Sequence, residues 1–252
     1  MAAVYKVVFV SGCASFILAA YFVTLSPSIS GGDSGELVAE GCTLGVAHPP
    51  GYPIFTMLVY LLKNSIEIGS VAYRVNFTSS VFTTLAAWCL GEMVLMFPGQ
   101  PHCISGSIFA MTMFAFSPLI WQYAVTAEVF PMNTFFAALI CYLTMLFARR
   151  REFSIALLGA FICGLALCNQ HTIVLFEAPL ILWMTWLLRR YLYARPISMF
   201  MLGLSFLAGL LPYIYIPIVA NFNPQPGSWG HTATLSGFLH HFLRKDYGTF
   251  RV

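Results

Sequence analysis

The feature that constrains this chain most is a series of long apolar runs almost free of charge, over residues 7–25, 71–97, 103–123, 132–148, 154–168, 172–188 and 197–220. A helix that crosses a bilayer takes roughly 20 mostly apolar residues, because lipid offers no partner to backbone N–H and C=O groups and the helix satisfies them internally. The runs therefore predict an all-α polytopic membrane protein with about seven transmembrane helices. They are longer than the roughly 9–11 residues of a barrel strand, which argues against a β-barrel. Composition agrees. Only 8% of the 252 residues are charged and 59% are hydrophobic, whereas a soluble domain is about 25% charged.

The first run is long for the core of a signal peptide, carries only Lys6 as an early charge, and reads as a retained signal anchor. Residues 52–66 are broken by Lys63 and Asn64 and suit an amphipathic helix at the membrane surface. Most of the seven cysteines (Cys13, Cys89, Cys141, Cys163, Cys168) fall inside apolar runs, where they act as small hydrophobes and imply no disulfide framework. No His/Asp cluster has metal-ligand spacing, so no metal is expected. The net charge of +3 is small, and no basic run is interleaved with aromatics, so nucleic acid is excluded as a partner.

Basic residues mark the cytosolic loops of a polytopic protein. Arg149, Arg150 and Arg151 follow the fourth run, and Arg189, Arg190 and Arg195 follow the sixth. With the N-terminus also cytosolic, seven spans place 26–70, 121–133, 169–171 and the tail 221–252 on the opposite, lumenal side. The whole chain then reads as one membrane module, 1–252, whose polar motifs share one face.

The first of those motifs is Gly31-Gly32-Asp33-Ser34-Gly35-Glu36. The glycines allow a tight turn into a helix, Asp33 can cap it with Glu36 at the third position, and the two carboxylates then share a face. Such a pair serves either as a helix cap or as acid–base machinery. His48-Pro49-Pro50-Gly51-Tyr52-Pro53 forms a stiff corner presenting His48 and Tyr52, as a re-entry turn or as a ligand contact. Arg74 can bind a phosphate or snorkel to headgroups. Asn76-Phe77-Thr78 matches a glycosylation sequon, close to a predicted span. Glu128 and Asn133 mark a second polar turn, and Asn169-Gln170-His171 a third. Glu177, within an apolar run, is costly unless paired or facing a cavity, and Glu92 reads as structural. In the tail, 223–231 is a stiff turn whose Trp229 can contact a sugar face or a headgroup, followed by a short helix over 235–243.

The order GGDSGEL, LGVAHPPGYP, RVN, AVTAEVFPMN and NPQPGSWG resembles the GT-C superfamily of polytopic glycosyltransferases. More closely, it resembles the eukaryotic O-mannosyltransferases that modify IPT domains of plexin-type and hepatocyte-growth-factor-type receptors. The resemblance implies an endoplasmic-reticulum enzyme that uses dolichyl phosphate mannose as donor substrate, needs no cofactor, and mannosylates Ser or Thr hydroxyls with inversion. It places the family's acidic residue at Asp33, with Glu36 beside it. On chemical grounds Asp33 is the base, Glu36 orients the acceptor or raises the base's pKa, and His48 and Arg74 stabilise the phosphate. Tyr52, Glu128, Asn133, His171 and Trp229 complete the expected substrate-binding set. The resemblance implies further spans and a large lumenal C-terminal region, beside which this sequence reads as a short isoform or fragment. Two other readings are a membrane transporter and a non-catalytic partner of a longer enzyme.

Overall fold

The structure, a computed structural model, describes residues 2–65, 67–97 and 103–248. Its elements in order are α1 (Ala2–Val23), α2 (Ser34–Thr43), α3 (Pro53–Ser65), α4 (Val71–Leu95), α5 (Ile104–Ala115), α6 (Pro118–Ala124), α7 (Val129–Arg150), α8 (Phe153–Leu167), α9 (Val174–Ala194), α10 (Pro196–Gly209), α11 (Tyr215–Phe222) and α12 (Leu235–Phe242). Short 3₁₀ turns at His171–Ile173, Leu211–Ile214 and Lys245–Tyr247 complete it. Every regular element among the described residues is helical, as the apolar runs require.

Four helices are long and apolar enough to cross a membrane, in α1, α4, α7 and the segment His171–Ala194, or six if each of two bent pairs is one span. The expected count of seven includes α8, which is apolar but only 15 residues long. The bends have local causes. Between α5 and α6 the axis turns by 71° just before Pro118, and between α10 and Leu211–Phe222 by 44° beside Pro212. Proline lacks the N–H that would continue the ladder and crowds the preceding turn.

Small residues and internal hydrogen bonds hold the bundle together, as expected where lipid competes equally for apolar surface. Gly164 of α8 and Gly209 of α10 bring two backbones into contact, and a Cβ on either would strike a carbonyl oxygen of the other helix. The Ser205 hydroxyl donates to the Leu157 carbonyl across the same seam, 2.8 Å away. Between α1, α4 and α5, Val10, Ile17, Tyr21, Ala87 and Met111 form a buried cluster, and the Tyr21 hydroxyl donates to the Ala115 carbonyl at 2.7 Å. Glu92 is structural, as expected, and its partner is Lys6 of α1 at 2.8 Å. The outward face of α9 is apolar, with Leu175, Leu182 and Trp186 exposed.

At the other end of α4 the connecting segments converge. Asn76 is fully buried and donates to the carbonyls of Ser26 and Ser28, so the sequon is inaccessible in the folded chain. Trp121 Nε1 donates to Thr24, the Ser26 N–H to Val125, and Asn169 to the Val129 carbonyl. Residues 52–66 contain α3, which packs against α2 and α4, with Phe55, Thr56 and Val59 buried; Ile66 lies outside the described residues, as do 249–252 of the tail. The expected short tail helix is α12.

Candidate active site

The first polar turn folds differently from the capping box its sequence suggests. Asp33 does occupy the N-cap of α2, but its side chain makes no cap hydrogen bond. Gly32 adopts φ +74, a left-handed angle that glycine reaches without strain. The Asp33 N–H donates instead to Glu128 Oε1 at 3.2 Å, and the Glu36 carboxylate turns away to a different partner. Asp33 is thereby left largely in solvent at the start of a helix, with its side chain 59% exposed.

Glu36's partner is His48. One Glu36 oxygen accepts the His48 backbone N–H at 2.8 Å, and the two oxygens lie 3.1 and 3.2 Å from Nδ1. An ionised carboxylate only accepts, so Nδ1 carries a proton. That leaves Nε2 facing the Tyr52 hydroxyl at 2.9 Å and Asp33 Oδ2 at 3.7 Å. The imidazole is bracketed by two carboxylates and a phenol, with little exposure of its own. Burial pushes the Tyr52 phenol up, and its hydroxyl stays a proton donor.

The corner that carries His48 is as stiff as its prolines imply. Gly51 and Tyr52 take φ +96 and +43, and Tyr52 starts the turn into α3. A non-glycine residue in that region costs about 1–3 kcal/mol and persists where its surroundings over-determine it. The surroundings here come from the tail. The buried His241 ring of α12 lies against Gly51, its Nε2 3.1 Å from the Ala47 carbonyl. Burial lowers its pKa to about 4, so it stays neutral and Nε2 is the donor.

A second tether joins tail and corner. Buried Glu40 of α2 accepts from the Ser228 hydroxyl at 3.1 Å, the Val46 N–H reaches the same hydroxyl at 2.8 Å, and the Trp229 N–H donates to the Val46 carbonyl at 2.9 Å. Trp229 and Tyr247 thereby flank His48, with ring centroids at 6.3 and 6.4 Å. The Arg244 guanidinium lies over the Tyr247 ring at 5.1 Å, and its charge reaches Tyr52.

Of the expected site residues, the structure gathers Asp33, Glu36, His48, Tyr52 and Trp229, with Glu128 directly behind Asp33. It does not bring Arg74, Asn133 or His171 to the cluster. Arg74 donates to the carbonyls of Leu62, Lys63 and Gly69 and closes the C-terminal end of α3. Asn133 is half-buried in α7. His171 pairs with the Tyr213 hydroxyl at 2.7 Å and packs edge-on against Phe242. Sequence reading missed Tyr247, Arg244, Glu40 and His241. The first two stand next to the chain's end without a motif, and the others act through contacts with segments 180 or more residues away.

Glu128 is buried at the N-cap of α7. Burial, with the charge of Asp33 beside it, raises its pKa to about 7. No group of three or more His, Cys, Asp or Glu able to hold a metal exists among the described residues.

A sequence model of the family described as "Protein O-mannosyl-transferase TMEM260 N-terminal domain" matches residues 33–195, a span containing Asp33, Glu36, His48, Tyr52 and Glu128 but not Trp229 or Tyr247. Protein O-mannosyl-transferase TMEM260 of Mus musculus is 44% identical over 243 residues, covering 94% of this chain and 34% of that protein. Protein O-mannosyl-transferase tmem260 of Dictyostelium discoideum is 38% identical over 247 residues, covering 92% and 30%. The chain thus spans about a third of the length of the curated relatives it matches. No solved structure matches.

Proposed function

Because the chain belongs to the family of the protein O-mannosyl-transferase TMEM260 N-terminal domain, we propose that it carries the catalytic membrane module of a protein O-mannosyltransferase. The donor is dolichyl phosphate mannose, the acceptors are Ser or Thr hydroxyls of IPT domains in receptor ectodomains, and the module sits in the endoplasmic-reticulum membrane. Seven spans, with α8 as the short one, put the Asp33 end in the lumen and Arg149, Arg150 and Arg151 in the cytosol. The observation that carries the reading is an exposed carboxylate, Asp33, held 3.7 Å from a buried imidazole that a second carboxylate orients.

The chemistry follows from these groups. The Asp33 carboxylate takes the proton of the acceptor hydroxyl as its oxygen forms a bond to the sugar C1. The bond from C1 to the phosphate oxygen breaks, and its electron pair leaves on dolichyl phosphate. Attack opposite the leaving group inverts C1. The phosphate is already a good leaving group, so one carboxylate suffices, unlike the acid and base pair of a glycosidase. Glu36 orients His48 through Nδ1 and fixes the ring against Tyr52 and Asp33. Arg244 puts a guanidinium on the same side as Tyr52 and Tyr247.

The test is incorporation of labelled mannose from dolichyl phosphate mannose into a purified plexin-type IPT domain by the chain in lipid nanodiscs. Product whose mannose carries the opposite configuration at C1 to that of the donor supports the reading. Absence of transfer by a correctly inserted chain defeats it, and solute flux in proteoliposomes would favour transport instead.

A further inference from the structure

Asp33 has a second face. On it lies a polar pocket of about 420 Å³ whose lining includes Gly31, Gly32, Asp33, Gln122, Tyr123 and Glu128, but not His48, Glu36 or Tyr52. The volume falls in the usual range for ligand sites.

We propose that this pocket receives an extended, hydroxyl-bearing segment of the acceptor protein and delivers its Ser or Thr oxygen to the face of Asp33 turned away from His48. The inference rests on the mannosyltransferase reading and names which side of Asp33 each substrate uses: the lipid-linked donor on the His48 side, the acceptor peptide on the other.

Four features of the pocket fit a peptide. Gly31 has open space around the position of a Cβ, so a peptide can approach bare backbone there. Gly32 is held at φ +74, and a Cβ on it would fall 2.8 Å from Glu128 Oε1, which keeps this floor free of side chains. Tyr123 and Phe130, whose ring centroids are 4.7 Å apart, supply an aromatic wall, and Gln122 is an exposed amide able to pair with a passing backbone. Glu128 closes the back by accepting the Asp33 N–H, and around neutral pH it retains much of its proton. The carboxylate presented to an incoming neutral hydroxyl is therefore that of Asp33.

The experiment uses the full chain in nanodiscs, with a purified IPT domain as acceptor probe and dolichyl phosphate mannose as donor. Gly31→Leu fills the pocket from a position with space for a side chain, and Tyr123→Ala removes the opposite wall. Each is expected to weaken acceptor binding and raise acceptor KM by about tenfold, with donor KM unchanged. Unchanged acceptor binding in Gly31→Leu overturns the inference, as does a rise confined to donor KM. Unchanged donor KM in the same samples shows that the variants are folded. If the unsubstituted chain binds the acceptor but transfers no mannose, the mannosyltransferase reading fails while the pocket is still tested by the binding of Gly31→Leu. If the unsubstituted chain does not bind the acceptor at all, the pocket inference is overturned.

Discussion

At the scale of single residues, the site separates two carboxylates three positions apart by what they touch. Glu36 is committed to His48, whereas Asp33 is anchored only through its backbone and keeps its side chain available. Glu36→Gln keeps the size but halves the acceptor capacity and loses the charge that orients the ring. Its expected effect is a fall in kcat of about ten- to a hundredfold with little change in either KM, read by steady-state kinetics. Glu128 gives a pH signature. Its folded pKa of about 7 lies above the ordinary 4.5, so its contribution to stability is present below about 4.5 and is lost as pH rises through about 7. The new charge is buried and faces that of Asp33, a cost that the hydrogen bond from the Asp33 N–H offsets only in part. Transfer by the native chain should therefore decline above about pH 7, and Glu128→Gln, which keeps the acceptor oxygen without the charge, should extend the active range upward. Coincident pH profiles would remove Glu128 from this role. Residue identity made Asp33, Glu36 and His48 legible in the sequence as candidates that the fold brings together. Which carboxylate stays free was not legible, since a capping box and a His-bound Glu36 use the same letters. Arg74 shows the same limit: a guanidinium satisfies a phosphate or a frayed helix end equally well, and here it closes α3.

At the scale of elements, the corner 48–52 and the tail 223–247 form one assembly despite their distance in sequence. The tail brings Trp229 and Tyr247 to His48, and His241 and Ser228 hold it there through Ala47, Val46 and Glu40. Gly51 is a close approach, since a Cβ would fall 2.6 Å from Ile216 of α11 and 3.2 Å from the His241 ring of the tail, and its φ is +96. Gly51→Ala should lower stability by more than about 1 kcal/mol and reduce transfer, with a lowered thermal midpoint in nanodiscs as the check. An unchanged midpoint would mean that the corner is not braced by the tail. The helices themselves were legible because an apolar run of this length has few alternatives. Their bends were partly legible, through Pro118 and Pro212. The docking of tail on corner was not, because a buried His241 or Glu40 announces a partner without saying which.

At the scale of the whole molecule, the polar connections gather at one end of an apolar bundle, and the other end of the α1–α4 seam is tied by Lys6 and Glu92. Each of these side chains is about one-quarter exposed, so removing one strands a partly desolvated charge. Lys6→Met and Glu92→Leu should each cost about 1–2 kcal/mol, and the double substitution should recover most of that loss. Thermal unfolding of the three variants is the check, and additive losses would contradict a direct pair. In the proposed reading the bundle presents Asp33 between a donor and an acceptor. The most direct measurement is mannose transfer from dolichyl phosphate mannose to a purified IPT domain by the native chain and by Asp33→Asn, each shown to be inserted and folded. The account predicts robust transfer by the first and a loss of about a hundred- to ten-thousandfold in the second, the usual weight of a positioned general base. Equal transfer by both would contradict it.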